Sequence, residues 1–188
     1  AIAGTDIAGF TDYRQLLAHP ELEAVIVATP DHLHKDICIE AAQAGKHILV
    51  EKPIATTVAD GEEMIAAAKA ANVKLMVGFT LRFVPHYVQA RELIQSGKLG
   101  KIISVYSRRM NIITQADRLG GRIGVLHFLG IHDFDLLHWL LGVEPDQVYT
   151  AESTSVAKRY PQENETFNTF KFKDGTLVCA QIGWNLTT

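Results

Sequence analysis

The 188-residue chain has only two cysteines, Cys38 and Cys179, far apart in sequence and each in an apolar stretch. A disulfide framework needs more of them in a shorter chain, so free buried thiols in a reducing, cytoplasmic compartment are expected. Long apolar runs are missing too: none approaches the ~20 residues that span a bilayer. The first residues, Ala1-Ile2-Ala3-Gly4-Thr5-Asp6, carry neither the basic start nor the apolar centre of a signal peptide. They also lack a methionine, and the chain is expected to begin inside a longer protein. Charge of one sign is not in excess, because 18 Lys and Arg against 21 Asp and Glu leave a net charge of −3. That balance offers no electrostatic footprint for nucleic acid or an anionic membrane. Gly-x-Gly-x-x-Gly occurs nowhere. Gly4 and Gly9 have the spacing of a phosphate loop, without the Lys-Ser/Thr that must follow.

What remains is ordinary globular composition with strong periodicity. Tyr13–Ala18 reads as a short helix stopped before Pro20. Ala24-Val-Ile-Val-Ala28 is a continuous β-branched run, the pattern of a parallel strand buried on both faces. Asp31 is placed to cap a helix in which Leu33, Ile37 and Ala41 recur every four residues until Gly45. His47–Val50 is a second buried strand. Thr57, with Asp60 three residues on, predicts a capped helix. Leu75–Phe79 is a third strand, and Pro85 opens a helix that Gly97 ends. Such alternation predicts right-handed βαβ crossovers and a parallel sheet. After Gly100 the pattern changes to a strand over Ile102–Met110, an irregular loop to about Gly124 and a helix over Ile131–Leu141 stopped by Gly142. Strands at 148–155, 167–173 and 176–184 follow, with an Asp174-Gly175 hairpin turn between the last two. Val178, Ala180, Ile182 and Trp184 share one face of the final strand. The boundary between two domains, 1–100 and 101–188, is expected near Gly100.

Three clusters could carry chemistry. In parallel sheets ligands bind beyond the carboxyl ends of the strands, and both Thr29-Pro30-Asp31-His32-Leu33-His34 and Glu51-Lys52-Pro53 fall there. A lysine partly buried in such a cleft has a lowered pKa and can hold an alkoxide or tune a proton relay; the bland alternative is a surface ion pair. His32 and His34 would point about 200° apart on a helix, so no metal site is expected, and capping or cofactor contact suits them better. The third cluster is Gly130-Ile-His-Asp-Phe-Asp-Leu-Leu-His-Trp139. His132 and Asp135 share a helix face, and acidic neighbours can fix an imidazole's tautomer and basicity. Arg108, Arg109, Arg118 and Arg122 could meet an anion, although arginines at strand ends are more often simply solvated.

Together these residues resemble the Gfo/Idh/MocA family of nicotinamide-dependent oxidoreductases. The resemblance runs from Tyr13-Arg-Gln-Leu-Leu17 through Ala24–His34, Ala41–Pro53, Val77–Pro85 and Gly97–Ile102 to Leu129–Asp135. It implies a partial Rossmann-type parallel-sheet domain followed by part of an α+β domain with an open antiparallel sheet, and an internal fragment of such an enzyme. It also implies NAD or NADP as cofactor, since the acidic residue that decides between them would lie upstream. Ala28, Thr29, Pro30, His32, His34, Glu51, Lys52 and Arg82 are then expected to line the cofactor cleft, with a cis Lys52–Pro53 bond.

By the same resemblance Lys52 and His132 are catalytic. His132 would take the hydroxyl proton of a sugar, cyclitol or related secondary alcohol, and Lys52 would hold the developing alkoxide. Where many relatives carry an aspartate four residues before the histidine, this chain has Phe128. Asp133 or Asp135 is left as the acidic partner, Asp135 being placed in the catalytic set. A nicotinamide-dependent glycosidase and a sugar-sensing regulator of the same fold are the alternatives. The 111–127 loop is where substrate discrimination is expected, and the open sheet implies a homo-oligomer, dimer or tetramer.

Overall fold

The computed structural model describes residues 8–155 and 160–186; of the glycine pair set aside above, Gly4 lies outside them. The chain divides into two compact units, 1–78 and 79–188. The first holds α1 (Tyr13–Leu17), β1 (Ala24–Val27), α2 (His34–Gln43), β2 (His47–Val50), α3 (Val58–Ala70) and β3 (Leu75–Val77). Its strands pair in parallel in the order β1-β2-β3, with Val25 opposite Ile48 and Ile48 opposite Leu75. Each crossover moves in the same direction along the sheet, and right-handed connections then put both helices on one face. Val27, Ile48 and Val50 on that face form the core with Cys38, Ala41, Ala42 and Met64. Lys35 of α2 reaches both Asp60 and Glu63 of α3 at 2.7 Å. The expectation that β1 is buried on both faces is corrected here: Ile26 is 73% exposed, and Met76 in the same row of the sheet is 48% exposed.

Local chemistry explains the element ends. Thr57 Oγ1 accepts from the Asp60 N–H at 3.2 Å, a side-chain N-cap, and donates to Asp60 Oδ2 at 2.7 Å. Gly45 follows α2 with φ +71°, a conformation that suits glycine. Asp31 does not cap α2 directly. Residues Asp31–Leu33 form a 3-10 turn, and α2 begins at His34.

The second unit opens with a 3-10 turn at Thr80–Phe83 and α4 (Pro85–Gln95). It continues with β4 (Ser104–Ile112), α5 (Thr114–Leu119), α6 (Ile131–Leu141), β5 (Pro145–Ser153), β6 (Glu165–Phe172) and β7 (Leu177–Leu186). Its boundary lies about twenty residues before the expected one because α4 packs against α6, where Arg91 sits 4.4 Å over the Trp139 ring. The stretch read as irregular contains α5, a helix of six residues with too few turns to show a periodic stripe. The sheet order is β4-β7-β6-β5, and it is mixed rather than wholly antiparallel: β4 runs parallel to β7. After β4 the chain passes through α5 and α6 before entering the sheet again at its far edge, as β5.

Val178, Ala180, Ile182 and Trp184 are all buried, on the sheet face that packs against Leu129 and Leu137. A single π-helical turn, Leu126–Gly130, leads straight into α6. Gly124 precedes this continuous helix without a capping side chain. The carboxylate of Glu163 takes that place, accepting from the Leu126 N–H at 3.1 Å, while the Glu163 carbonyl accepts from the Val125 N–H at 3.2 Å. A Cβ on Gly124 would overlap that carboxylate.

Candidate active site

In the first unit, β1 and β2 end side by side and deliver two loops to one end of the sheet. Ala28, Thr29 and Pro30 are exposed there, as are His32 and Glu51. Asp31 Oδ1 accepts from the His32 N–H at 2.9 Å and faces His32 Nδ1 at 3.7 Å. Glu51 Oε2 accepts from the Lys52 N–H at 3.2 Å. Its carboxyl group lies over Gly78, where a Cβ would meet Glu51 Cδ at 3.6 Å. The Lys52–Pro53 peptide is cis. Lys52 is half-buried, and burial pushes its ammonium pKa down while the charges of Glu51 and Asp31 pull it back up. A lysine poised in that way is a better proton partner than a solvated one.

His34 differs from the expectation. It is 1% exposed, and its ring nitrogens face the carbonyls of Pro53 and Thr29, each at 2.9 Å. Its nitrogens are therefore spent inside the protein rather than offered to a ligand.

In the second unit, α6 carries His132 near its start. The aspartates on either side of Phe134 are each held by an arginine. Asp133, 4% exposed, accepts from Ser107 Oγ at 2.8 Å and from Arg109 Nε. Asp135 receives a two-pronged contact from Arg82, whose Nε lies 2.9 Å from Oδ2 and whose Nη2 meets Oδ1. This ion pair lifts the Arg82 pKa further above its usual value. Both oxygens of Asp135 face Arg82, so the residue expected in the catalytic set and the one expected in the cofactor cleft form a single ion pair that braces the Thr80–Phe83 turn against α6. Arg109, considered above as an anion contact, is committed to Asp133.

Phe128 lies in an apolar cluster, its ring centroid 6.2 Å from that of Trp184. Ser107, Arg109, Asp133 and Tyr87 line a cavity of about 490 Å³ against Val105, Leu136 and Leu140. Ser107 and Glu163 were not singled out from the sequence. Alternation along β4 could have found Ser107, since it puts Val105, Ser107 and Arg109 on one face; nothing local marks Glu163. Among the described residues, no group of three His, Cys, Asp or Glu side chains could hold a metal ion. Among the same residues, no helix is long and apolar enough to cross a membrane.

A parallel βαβαβ unit with its polar loops at the carboxyl ends defines a nucleotide-binding α/β protein of Rossmann type, joined to a second unit built on a mixed sheet. Comparison with known proteins makes this specific. Residues 2–79 match the oxidoreductase family with NAD-binding Rossmann fold, and residues 87–188 match the GFO/IDH/MocA C-terminal domain. The chain belongs to the Gfo/Idh/MocA family. It is 33% identical to 2,7-anhydro-N-acetylneuraminate hydratase of Escherichia coli over 89% of this chain and 47% of that protein. The solved aldose-aldose oxidoreductase of Caulobacter crescentus superposes with a TM-score of 0.84 at 33% identity, covering 93% of this chain and 54% of that one. The scyllo-inositol dehydrogenase of Lactobacillus casei, solved with NAD(H) and scyllo-inositol, gives 0.80 at 26% identity, covering 92% and 54%. The chain thus spans about half the length of the curated relatives it matches.

Proposed function

We propose that the protein carrying this chain is an NAD(P)-dependent oxidoreductase acting on a secondary alcohol of a sugar, cyclitol or related polyol. The observation that carries the reading is the half-buried Lys52 at the carboxyl end of β2, next to the exposed turn after β1. Thr29, Asp31, His32 and Glu51 supply a hydroxyl, carboxylates and an imidazole, groups suited to ribose hydroxyls and an amide more than to phosphates. They fit the ribose–nicotinamide part of a dinucleotide. Such a cofactor, when bound, exchanges a hydride with a carbinol carbon.

Each remaining role belongs to this chain. The Lys52 ammonium, held partly out of water, donates to the reacting oxygen and offsets its negative charge. His132 takes the hydroxyl proton in oxidation and returns it in reduction. Asp133 and Asp135 fix the helix that carries His132 through Arg109 and Arg82. Two of the three relatives described above are named an oxidoreductase and a dehydrogenase, which favours this reading over a glycosidase or a regulator. Cys38 and Cys179 are free, which fits a reducing compartment such as the cytoplasm. The open sheet face exposes Tyr106, Tyr149, Phe167 and Leu177, a surface suited to a second copy of the chain.

The test is turnover of the protein in its full natural reading frame with NAD or NADP and a panel of inositols and aldoses. Reduced cofactor is followed by absorbance, with Lys52→Ala and His132→Ala alongside. A loss of about 100-fold or more in both variants supports the roles given. Tight cofactor binding with no reduction on any substrate refutes the oxidoreductase reading.

A further inference from the structure

We propose that His34 is a positioning residue: it ties the turn after β1 to the loop after β2 and so aims Lys52. The proposal rests on the reading of Lys52 as the group that meets the reacting oxygen. β1 ends at Val27 and β2 at Val50, so beyond those residues the strand ladder no longer fixes the two loops relative to one another. The His34 imidazole lies between them, with Nε2 2.9 Å from the Thr29 carbonyl oxygen and Nδ1 2.9 Å from that of Pro53. Both partners are acceptors, so the ring acts as donor: one ring proton satisfies one carbonyl, and a proton on each nitrogen satisfies both.

Burial favours the same reading. A polar ring 1% exposed is costly unless it is bonded. An apolar side chain of similar size would fill the volume, leave the Pro53 carbonyl without its donor in the interior and free the Thr29 carbonyl from the ring at a part-buried position. Pro53 directly follows Lys52, so a shift of its carbonyl carries the Lys52 Cα with it. His34 is also the first residue of α2, which gives the clamp a rigid base.

Three substitutions separate the two arms. His34→Asn keeps a donor near the Nδ1 position, toward Pro53. His34→Gln keeps one near the Nε2 position, toward Thr29. His34→Phe keeps the ring and no donor. The full-length protein is assayed for kcat, for KM of the cofactor, for unfolding midpoint, and for the rate at which trinitrobenzenesulfonate modifies Lys52, read by mass spectrometry of its peptide. Since a misplacement of about 1 Å can cost ~100-fold in rate, His34→Phe is expected to lose about 10–100-fold in kcat. It should also modify at Lys52 at a clearly altered rate. His34→Asn should restore kcat and the modification rate, whereas His34→Gln should restore the cofactor KM alone.

An unchanged kcat and modification rate in His34→Phe overturns the proposal. So does a loss of activity that follows the unfolding midpoint equally in all three variants, which marks His34 as filling only. If the wild-type protein turns over no substrate, the oxidoreductase reading fails separately. The Lys52 modification rates then decide the clamp by themselves: altered in His34→Phe and restored in His34→Asn supports it, and unaltered overturns it.

Discussion

Alanine at Gly124 tests how the helix bearing His132 is started. The capping group is borrowed: Glu163, distant in sequence, presents its carboxylate to the Leu126 N–H at 3.1 Å through the space a side chain on Gly124 would occupy. Replacing a capping side chain by alanine typically costs about 1 kcal/mol, with a range of about 0.5–2. A carboxylate at a helix N-terminus adds roughly 0.3–1 kcal/mol through the helix dipole. Glu163→Ala should therefore cost about 1.5–2 kcal/mol. Gly124→Ala should cost a similar amount by expelling the same carboxylate, less a few tenths regained because alanine restricts the unfolded chain. In the double variant no carboxylate remains to expel, so the total should stay near about 2 kcal/mol instead of doubling. Urea denaturation of the four proteins measures this coupling, and thermal unfolding should show about 2–4 °C per kcal/mol. Additivity to within ~0.5 kcal/mol would refute the borrowed cap, because independent sites add.

Two further outcomes follow from the charged groups. Burial lowers the Lys52 pKa in the folded protein below the value near 10.5 of an unfolded lysine, so between those values the unfolded chain binds more protons. The Lys52 contribution is then fully present above about 10.5 and lost as pH falls through the folded value. Wild-type stability minus that of Lys52→Met should accordingly rise as pH is raised from neutral toward 10.5, and a flat or falling difference would sink the assignment. In the Arg82–Asp135 pair the carboxylate is 8% exposed and the guanidinium 36%. Arg82→Ala strands a buried charge and should cost about 2–4 kcal/mol, while Asp135→Asn leaves an arginine that can turn to water and should cost about 1 kcal/mol. Equal costs in urea titrations would show that the pair does not brace α6.

The sequence carried the order of the elements because each depends on nearby residues. The Thr57–Asp60 cap, the helix breaks at Gly45, Gly97 and Gly142, and the buried face of β7 all rest on spacings of a few positions. The site was legible only in its addresses. Thr29–His34 and Glu51–Pro53 could be placed at strand ends from hydropathy, but nothing local says that His34 turns inward to two carbonyls. Likewise, Asp133 and Asp135 read as candidate partners of His132 because helical spacing is a local fact. Their arginines come from β4 and from the turn before α4, so the pairing exists only once the chain has folded. The exposure of Ile26 was hidden for a related reason: a β-branched run marks a strand, while the faces that are covered depend on the sense of the crossovers.

The π-helical turn at Leu126–Gly130 has a directional consequence. A π turn accommodates one residue more than an α turn, and each residue of a helix subtends about 100°. Were the same residues to close into a regular α-helix, everything beyond the turn would swing by about that angle. Asp133 would leave Ser107 and Arg109, Asp135 would leave Arg82, and His132 would look elsewhere, although no side chain had been altered. The π turn absorbs the additional residue and so keeps the half of the helix that bears the polar groups in phase with the half seated on Trp184. Deleting one residue from this segment should therefore close the turn into a regular α-helix and leave Asp133 and Asp135 facing their arginines.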